Sequence, residues 1–278
     1  MAFAKTEPSE RADGWEDVGL NWLRVPGGAL VVRVLERDGR TLHLEPLRAV
    51  TPSPAVAERF GRRLAATHAA GAPAFGVGPD GWRGDGLQGP VDGFIPLRLG
   101  PVGSCGEMYA SLRVDPLVKR AGRRFSPDER ADLARLCDGL RAGEFDTGSP
   151  PARIHGDLWS GNLMWTSEGC VLIDPRAHAG HRESDLAALA LFGCAHLERI
   201  VSPYDETAPL ADGWRERVPL MQLHLVLLHV VMVGGGYVAQ AARSPADTAE
   251  PTRRQLVDAA SRRRPGADGI TAAVMGSR

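Results

Sequence analysis

The segment HGDLWSGN, residues 155–162, combines side chains at a spacing that suits phosphoryl transfer. Such chemistry needs a base that orients the acceptor hydroxyl and oxygen ligands for a divalent cation that bridges the phosphates. Asp157 can act as the base, and Asn162 follows five residues later as one oxygen ligand. Asp174, twelve residues after Asn162, can supply a second oxygen. We therefore expect a Mg²⁺-dependent phosphotransferase centre with Asp157 as base and Asn162 and Asp174 as metal ligands.

A short hairpin must bring these groups together. Residues 163–165 and 170–173 are strand-like and flank a turn at 166–169, which returns Asp174 to the neighbourhood of Asn162. Protein kinases use the same H-x-D-L-x-x-x-N spacing together with a later Asp. We expect His155 to support the loop without taking part in proton transfer.

Two alternatives start from the same residues. Asp157 and Asn162 could serve only to cap a turn. His155 and Asp157 could instead belong to a metal hydrolase, but His178 and His181 lie three residues apart in a glycine-containing loop and supply no second histidine at ligand spacing. The apolar hairpin that ends in Ile-Asp-Pro favours the phosphotransferase.

The N-terminal part offers candidates for nucleotide binding. Lys5 follows a strand-like stub, and Glu16 lies in a segment whose apolar residues have helical spacing. Lys5 could contact the α- and β-phosphates and pair with Glu16, or the two could form an ordinary exposed ion pair of little energetic value. Backbone groups of Glu45 and Leu47 are candidates for binding adenine, and an ordinary strand end is the alternative.

The remaining pattern predicts an α+β chain. Strands are expected at 29–35 and 41–44, with a turn at 37–40, and residues 71–105 are rich in Gly and Pro and should be loop-like. Helices are expected from Pro54 to Gly71, at 107–118, at 127–140 after a Ser126 cap, from Ser184, and at 210–242. We divide the chain into a nucleotide-binding part (1–48), a helical part with the catalytic loop (49–243) and a polar, disorder-prone tail (244–278).

Composition narrows the choice of partners and location. The formal net charge of −1 gives no general attraction to nucleic acid or to anionic membrane. The four cysteines are widely spaced, which argues against a zinc site or a disulfide framework and fits a reducing compartment. The N-terminus has no apolar signal core, and the apolar stretch 218–238 contains polar residues and is expected to be a buried helix. We expect a soluble cytoplasmic protein.

Longer motifs resemble the fructosamine kinase (ketosamine 3-kinase) family, which is protein-kinase-like and related to aminoglycoside phosphotransferases. They cover nearly the whole chain to about residue 242: FAKTEP (3–8), GLNWL (19–23), LHLEPL (42–47), FGRRLAATHAAG (60–71), HGDLWSGN (155–162), IDPRAHAGHRESDLAALALFG (173–193) and YDETAPLADGWRERVPLMQLHLVLLH (204–229). The resemblance implies a two-lobed fold with a mainly helical C-terminal lobe. It also implies ATP- and Mg²⁺-dependent phosphorylation of the O3 hydroxyl of a sugar joined to an amine, on a small molecule or a protein, which reverses glycation.

The resemblance also implies roles for individual residues. Lys5 and Glu16 would form the ion pair, Asp157 would be the base, and Asn162 and Asp174 would bind the metal. The resemblance implies that three further side chains line the pocket or support the loop: Trp159, His181 and Arg182. Asp185 would bond the backbone of the catalytic loop.

Two departures from the family pattern stand out. Arg176 follows Ile-Asp-Pro where the family has Ala, and its cation could compete with the metal or contact phosphate. The chain also begins at the lysine strand, without the preceding strands and glycine-rich turn, so the N-terminal β lobe is expected to be truncated, with weaker ATP binding. A kinase of another hydroxyl substrate, such as an aminoglycoside or a choline-like amine, and a weakly active nucleotide-binding remnant therefore stay open. The sequence fixes neither the acceptor amine nor the oligomeric state.

Overall fold

The structure is a computed structural model that describes residues 3–6, 9–89 and 93–243. The tail expected at 244–278 lies outside these residues. Within the described ranges the strands are β1 (Phe3–Thr6), β2 (Leu30–Val31), β3 (Val34–Asp38), β4 (Thr41–Leu44), β5 (Gly86–Gln88), β6 (Ile95–Leu97), β7 (Ala152–Ile154), β8 (Leu163–Trp165), β9 (Cys170–Leu172) and β10 (His178–Gly180). The α-helices are α1 (Glu10–Leu23), α2 (Pro54–Ala69), α3 (Cys105–Met108), α4 (Asp115–Ala121), α5 (Pro127–Arg141), α6 (Glu183–Leu191), α7 (Leu197–Thr207) and α8 (Trp214–Met232).

An antiparallel sheet in the order β1–β4–β3 carries the N-terminal lysine. Lys5 lies opposite Leu42 in the β1–β4 register. The predicted hairpin between β3 and β4 is confirmed, with a turn at Gly39, whose φ of +57° suits glycine. The sheet packs beside α1, where Trp15 is almost fully buried.

The strand-like run at 29–35 is divided between two sheets. Its first part, β2, pairs in parallel with β9, whereas β3 belongs to the N-terminal sheet. β9 also pairs with β8 in antiparallel fashion, which gives a three-stranded sheet in the order β2–β9–β8. A segment far away in sequence therefore supports the strand that leads to Asp174.

Helices α2 and α7 pack closely against each other. α2 begins with Pro54 at its first turn, as predicted, and buries Phe60, Leu64 and His68. α7 was not predicted from the sequence. They come close at Gly61, where an added Cβ would lie 2.0 Å from the carbonyl oxygen of Ile200.

The segment 71–105 is mostly irregular, as predicted, but it contains the antiparallel hairpin of β5 and β6. The helix expected at 107–118 is present as α3 and α4, joined by a π-helical segment at Tyr109–Val114. The cap of α5 is confirmed, because Ser126 and Glu129 form reciprocal hydrogen bonds.

Two groups of buried apolar residues fill the molecule. One joins α1, α2 and the strands around residues 155–162, the predicted catalytic loop, and the other joins the helices of residues 105–141 to α8. Residues 236–243 add a final helical segment. Among the helices of the described residues, none is both long and apolar enough to cross a membrane.

Candidate active site

The catalytic loop lies between β7 and β8, and the predicted hairpin of β8 and β9 is confirmed. The N–H of Ile173 donates to the carbonyl of Asn162 at 3.2 Å, which brings Asp174 back beside the loop. Asp174 itself has a φ of +52°, a conformation that Asp tolerates better than most residues. The loop and the end of the hairpin therefore form one continuous site.

Asn162 and Asp157 are joined by hydrogen bonds. The amide nitrogen of Asn162 donates to the backbone carbonyl of Asp157 at 2.8 Å and to its Oδ2 at 3.3 Å. Because Nδ2 is directed at Asp157, the amide oxygen of Asn162 is the atom left for a cation. Burial raises the pKa of Asp157, although the positive charge of Arg176 opposes this shift.

His155 contacts backbone atoms with both ring nitrogens. Nε2 lies 2.9 Å from the carbonyl of Ile173, so it must carry a proton, and Nδ1 accepts from the N–H of Asp157 at 3.3 Å. The imidazole thus connects the start of the loop to the end of the hairpin. Gly156, between them, has a φ of +79°, and a Cβ there would lie 2.3 Å from the carbonyl oxygen of Arg176.

Two cations share one oxygen of Asp174. Nζ of Lys5 and Nη1 of Arg176 each donate to Oδ1 at 3.0 Å. Lys5 also pairs with Oε2 of Glu16 at 2.5 Å, and Glu16 is buried. Burial by itself would raise the pKa of Asp174, but Arg176 and Lys5 outweigh it and lower that pKa. The structure therefore brings together Lys5, Glu16 and Asp174 from distant parts of the chain.

The donor set suits a hard divalent cation. The amide oxygen of Asn162 and the carboxylate of Asp174 are oxygen ligands of the kind that Mg²⁺ prefers, with water and phosphate completing its shell. Oδ2 of Asp174 forms no hydrogen bond with another described residue, whereas Oδ1 is engaged by Lys5 and Arg176. Within the described ranges no group of three or more His, Cys, Asp or Glu side chains could hold a metal. The oxygens of Asn162 and Asp174 thus suit a cation whose other ligands are water and phosphate.

Asp185 supports the loop from behind. It is almost fully buried and accepts hydrogen bonds from the N–H groups of His155 at 2.7 Å and Gly156 at 3.0 Å. Nε2 of His68 lies 3.1 Å from Oδ2, and its Nδ1 lies 2.8 Å from the hydroxyl of Tyr204. Burial by itself would raise the pKa of Asp185, but the hydrogen bond with His68 and the donors of the loop lower it.

His181 and Arg182 contact neighbouring segments and not Asp157. Nε2 of His181 lies 2.8 Å from the hydroxyl of Thr147, and burial lowers the pKa of His181 to about 4. Arg182 donates to the carbonyls of Ala208 and Pro209, after α7. Both side chains therefore hold the start of α6 in place.

Trp159 extends from the loop toward solvent and is 39% exposed. It begins a row of rings in which it meets Phe192 edge to face at 6.1 Å, Phe192 meets His229 at 5.2 Å, and His229 meets Tyr237 at 4.8 Å between centroids. This row forms an aromatic surface next to the loop.

Glu45 and Leu47 follow β4. The backbone N–H of Glu45 donates to the carbonyl of Arg33, and its carboxylate accepts from the side chain of Arg33 at 2.7 Å. Leu47 is partly buried against the first core, and its backbone forms no hydrogen bond with another described residue. The backbone carbonyl of Glu45 and the backbone groups of Leu47 are thus available to a ligand, whereas the N–H of Glu45 is not.

Sequence reasoning missed several residues around the site. His68 recurs at helical spacing with Phe60 and Leu64 on the buried face of α2, and this spacing gave no sign of the distant Asp185. The rings of Phe192, His229 and Tyr237 come from three separate segments, so no local motif joins them. Arg113 was not singled out, because a lone arginine in a helix normally lies at the surface.

Comparison with known proteins places these motifs in context. Residues 20–248 match the profile of the family described as fructosamine kinase. A candidate fructosamine-3-kinase from Thermobifida fusca has a solved structure that is 42% identical, with a TM-score of 0.77 over 85% of this chain and 80% of that one. A candidate ketoamine kinase from Synechocystis is 33% identical over 187 residues, which are 66% of this chain and 59% of that protein.

A more distant structure shares the fold. A choline/ethanolamine kinase family protein from Mesorhizobium loti is 16% identical, with a TM-score of 0.56 over 91% of this chain and 85% of that one. The mixed arrangement of helices and strands is therefore kinase-like. The matched segments of three curated relatives make up only 32%, 59% and 47% of their lengths.

Proposed function

The chain belongs to the fructosamine kinase family, and on that premise we propose that it transfers the γ-phosphoryl group of ATP to the O3 hydroxyl of the sugar in a ketosamine. The observation that carries the proposal is the convergence of Asp157, Asn162 and Asp174 with the Lys5–Glu16 pair. The names of the Thermobifida and Synechocystis relatives support the acceptor class.

Asp157 acts as the base that orients the acceptor hydroxyl and takes its proton. Its carboxylate is held by the amide of Asn162, and its backbone is held by His155, so its direction is fixed before the acceptor arrives. Asp185 anchors the two residues that precede Asp157. His155 and Asp185 are therefore positioning residues and touch no reacting atom.

Asn162 and Asp174 would hold Mg²⁺, which when bound would neutralise charge on the phosphates. Lys5 would contact the same phosphates, and Glu16 keeps its ammonium group directed toward Asp174. The unbonded carbonyl of Glu45 and the backbone groups of Leu47 suit adenine, whereas the N–H of Glu45 is already bonded. This arrangement supports a division at about residue 48 into a nucleotide-binding and a catalytic lobe.

The acceptor approaches along the aromatic surface. Trp159 lies two residues after the base, and its exposed ring offers an apolar face to a sugar or to the carbon chain of its amine. His181 and Arg182 contribute indirectly, since they support the start of α6. The cysteines of the described residues are free thiols, which suits the cytoplasmic location that we propose.

The experiment is an ADP-release assay with fructosyl-amines, ribosyl-derived ketosamines, an aminoglycoside and choline. We expect turnover with a ketosamine, loss of at least about 100-fold in kcat for Asp157→Asn, and no change for the exposed control Asp128→Asn. If only the aminoglycoside or only choline is phosphorylated, that compound's class is the acceptor and the ketosamine proposal is wrong.

A thermal-unfolding assay separates an enzyme from a nucleotide-binding remnant. Mg²⁺–ATP must raise the melting temperature if it binds the folded chain. A shift without turnover of any acceptor would indicate a remnant, and no shift at all would contradict the kinase proposal.

A further inference from the structure

A cavity of about 20 Å³ lies behind the catalytic loop. None of the four rings of the aromatic surface lines it. Its walls come from the π-helical segment, β7, the loop, β10, α6 and α8, and include Tyr109, Arg113, Gly156, His178, Asp185 and His224. This volume suffices for one small molecule or ion. The presence of an arginine among its walls is the unusual feature.

Arg113 is 1% exposed, yet its hydrogen-bonding groups are only partly used. Nη1 donates to the carbonyls of Arg98 at 2.7 Å and Leu112 at 2.9 Å. Nε and Nη2 are buried and have no partner among the described residues. Two donors of one buried guanidinium therefore lack acceptors, which is costly in a protein interior.

No described side chain neutralises the charge of Arg113. The carboxylate whose charge raises its pKa is Asp85, which instead pairs with Arg98 at 2.7 Å and accepts from the N–H of Leu99 at 3.2 Å. Asp185 also lines the cavity and is ionised, but its oxygens accept from His155, Gly156 and His68, and its charge is not among those that shift the pKa of Arg113. Burial lowers the pKa of Arg113 to about 9, so the group is still charged at neutral pH.

Apart from Asp185, the polar residues that line the cavity carry no negative charge. Burial lowers the pKa of His224 to about 3 and the pKa of His178 well below its usual value, with the charge of Arg113 adding to both shifts. Burial raises the pKa of Tyr109, whose hydroxyl donates to the carbonyl of Leu220 at 2.6 Å. These three groups are therefore neutral, so none of them offers a negative charge to the guanidinium of Arg113.

We propose that the cavity binds a small monovalent inorganic anion of about the size of chloride, held by Nε and Nη2 of Arg113. Such an ion would satisfy both donors and neutralise a buried charge, whereas a single water would satisfy the donors alone. The volume favours a monatomic ion over the carboxylate end of an acceptor, although the two share the same recognition chemistry. The proposal is independent of the kinase activity.

The bound anion would lie between buried residues of the helices and the start of the catalytic loop. Arg113, His224 and Gly156 lie on three different elements around the cavity, so an ion between them adds a contact that the unfolded chain lacks. Its binding should therefore raise the stability of the folded chain by mass action. Because Gly156 precedes Asp157, the same ion would help to keep the base in place.

The test measures thermal unfolding of the full chain at constant ionic strength while chloride replaces gluconate, which is too large for the cavity. We expect a saturable rise of about 2–3 °C at a tenfold excess of chloride over its Kd. The rise should disappear in Arg113→Met and persist in Arg123→Met, which removes an exposed arginine. Crystals soaked in bromide should show an anomalous peak within hydrogen-bonding distance of Nε and Nη2 of Arg113.

Several results would overturn the proposal. One is a water molecule at the site together with a melting temperature that does not depend on chloride. A bromide peak without a chloride-dependent melting temperature would mean an adventitious ion only. A response to formate and not to chloride would assign the cavity to a carboxylate group instead. If Arg113→Met fails to fold, the chloride titration and the bromide peak of the unaltered protein still decide.

Discussion

Arg176 folds back along the chain so that its Nη1 lies 3.0 Å from Oδ1 of Asp174. The same oxygen accepts from Lys5. Asp174 is our proposed metal ligand, so Arg176 and the metal compete for one carboxylate. The guanidinium is 13% exposed and cannot be screened fully by solvent.

We predict that Arg176→Ala lowers the Mg²⁺ concentration for half-maximal thermal stabilisation about tenfold, because a positive charge beside the ligand is removed. Arg176→Lys keeps the charge and should stay close to the unaltered protein. The measurement is the melting temperature against Mg²⁺ concentration without nucleotide. If Arg176 contacts phosphate instead, the Mg²⁺ curve will not move and the KM for ATP will rise.

Lys5 is predicted to be needed for phosphoryl transfer. Lys5→Met removes a donor directed at the proposed phosphate position, and kcat should fall about 100-fold, as for the loss of one pre-organised donor. The check is steady-state kinetics with a ketosamine. An unchanged kcat would show that the Lys5–Glu16 pair is only structural.

The energy of the Lys5–Glu16 pair can be measured separately from catalysis. Lys5→Met takes a close cationic partner from the buried carboxylate of Glu16, so adding Glu16→Gln should recover part of the lost stability. We expect a coupling energy of about 1 kcal/mol in a double-mutant cycle of urea unfolding. Additive losses would show that the two side chains do not interact.

Asp185 should make stability depend on pH in the acid range. Its pKa is lowered in the folded state, so the ionised form contributes stability above the ordinary value of 3.8, and this contribution is lost as pH falls through the folded pKa. Asp185→Asn should cost about 3 kcal/mol at pH 7, because it removes a charged acceptor from two loop N–H groups.

The measurement is urea unfolding of the unaltered protein and of Asp185→Asn at several pH values. The difference in free energy of unfolding should be constant from pH 7 to pH 5 and become smaller below about pH 4. The exposed control Asp128→Asn should change stability by less than about 0.5 kcal/mol at every pH. A difference that grows with acidity would contradict the assigned direction.

The local parts of the site were predictable, because one stretch of chain contains both the chemistry and the turn that shapes it. HGDLWSGN and the following hairpin are confirmed as a loop and two strands. Contacts across the chain were not readable from spacing. Lys5 and Asp174 are 169 residues apart, and His68 and Asp185 are 117 apart. Lys5 and Asp174 were each assigned to the kinase site, but no contact between them was predicted, and nothing suggested the second pair.

Helix α7 shows why some elements escaped prediction. It begins after His196, which has a φ of +58°, and contains Pro203, a residue that normally ends a helix. Its apolar residues are few, and they are buried because α2 packs against them. Tertiary packing therefore stabilises a helix that its own sequence favours weakly.

The contact between α2 and α7 gives a sharp test of this packing. An added methyl at Gly61 would lie 2.0 Å from the carbonyl oxygen of Ile200, and backbone cannot move aside as a flexible side chain can. We predict that Gly61→Ala costs about 3 kcal/mol by overpacking, even though alanine is the better helix former. Gly103→Ala is the control, since a Cβ there meets nothing within 4 Å. A stability of Gly61→Ala equal to that of the control would mean that the two helices lie further apart in solution.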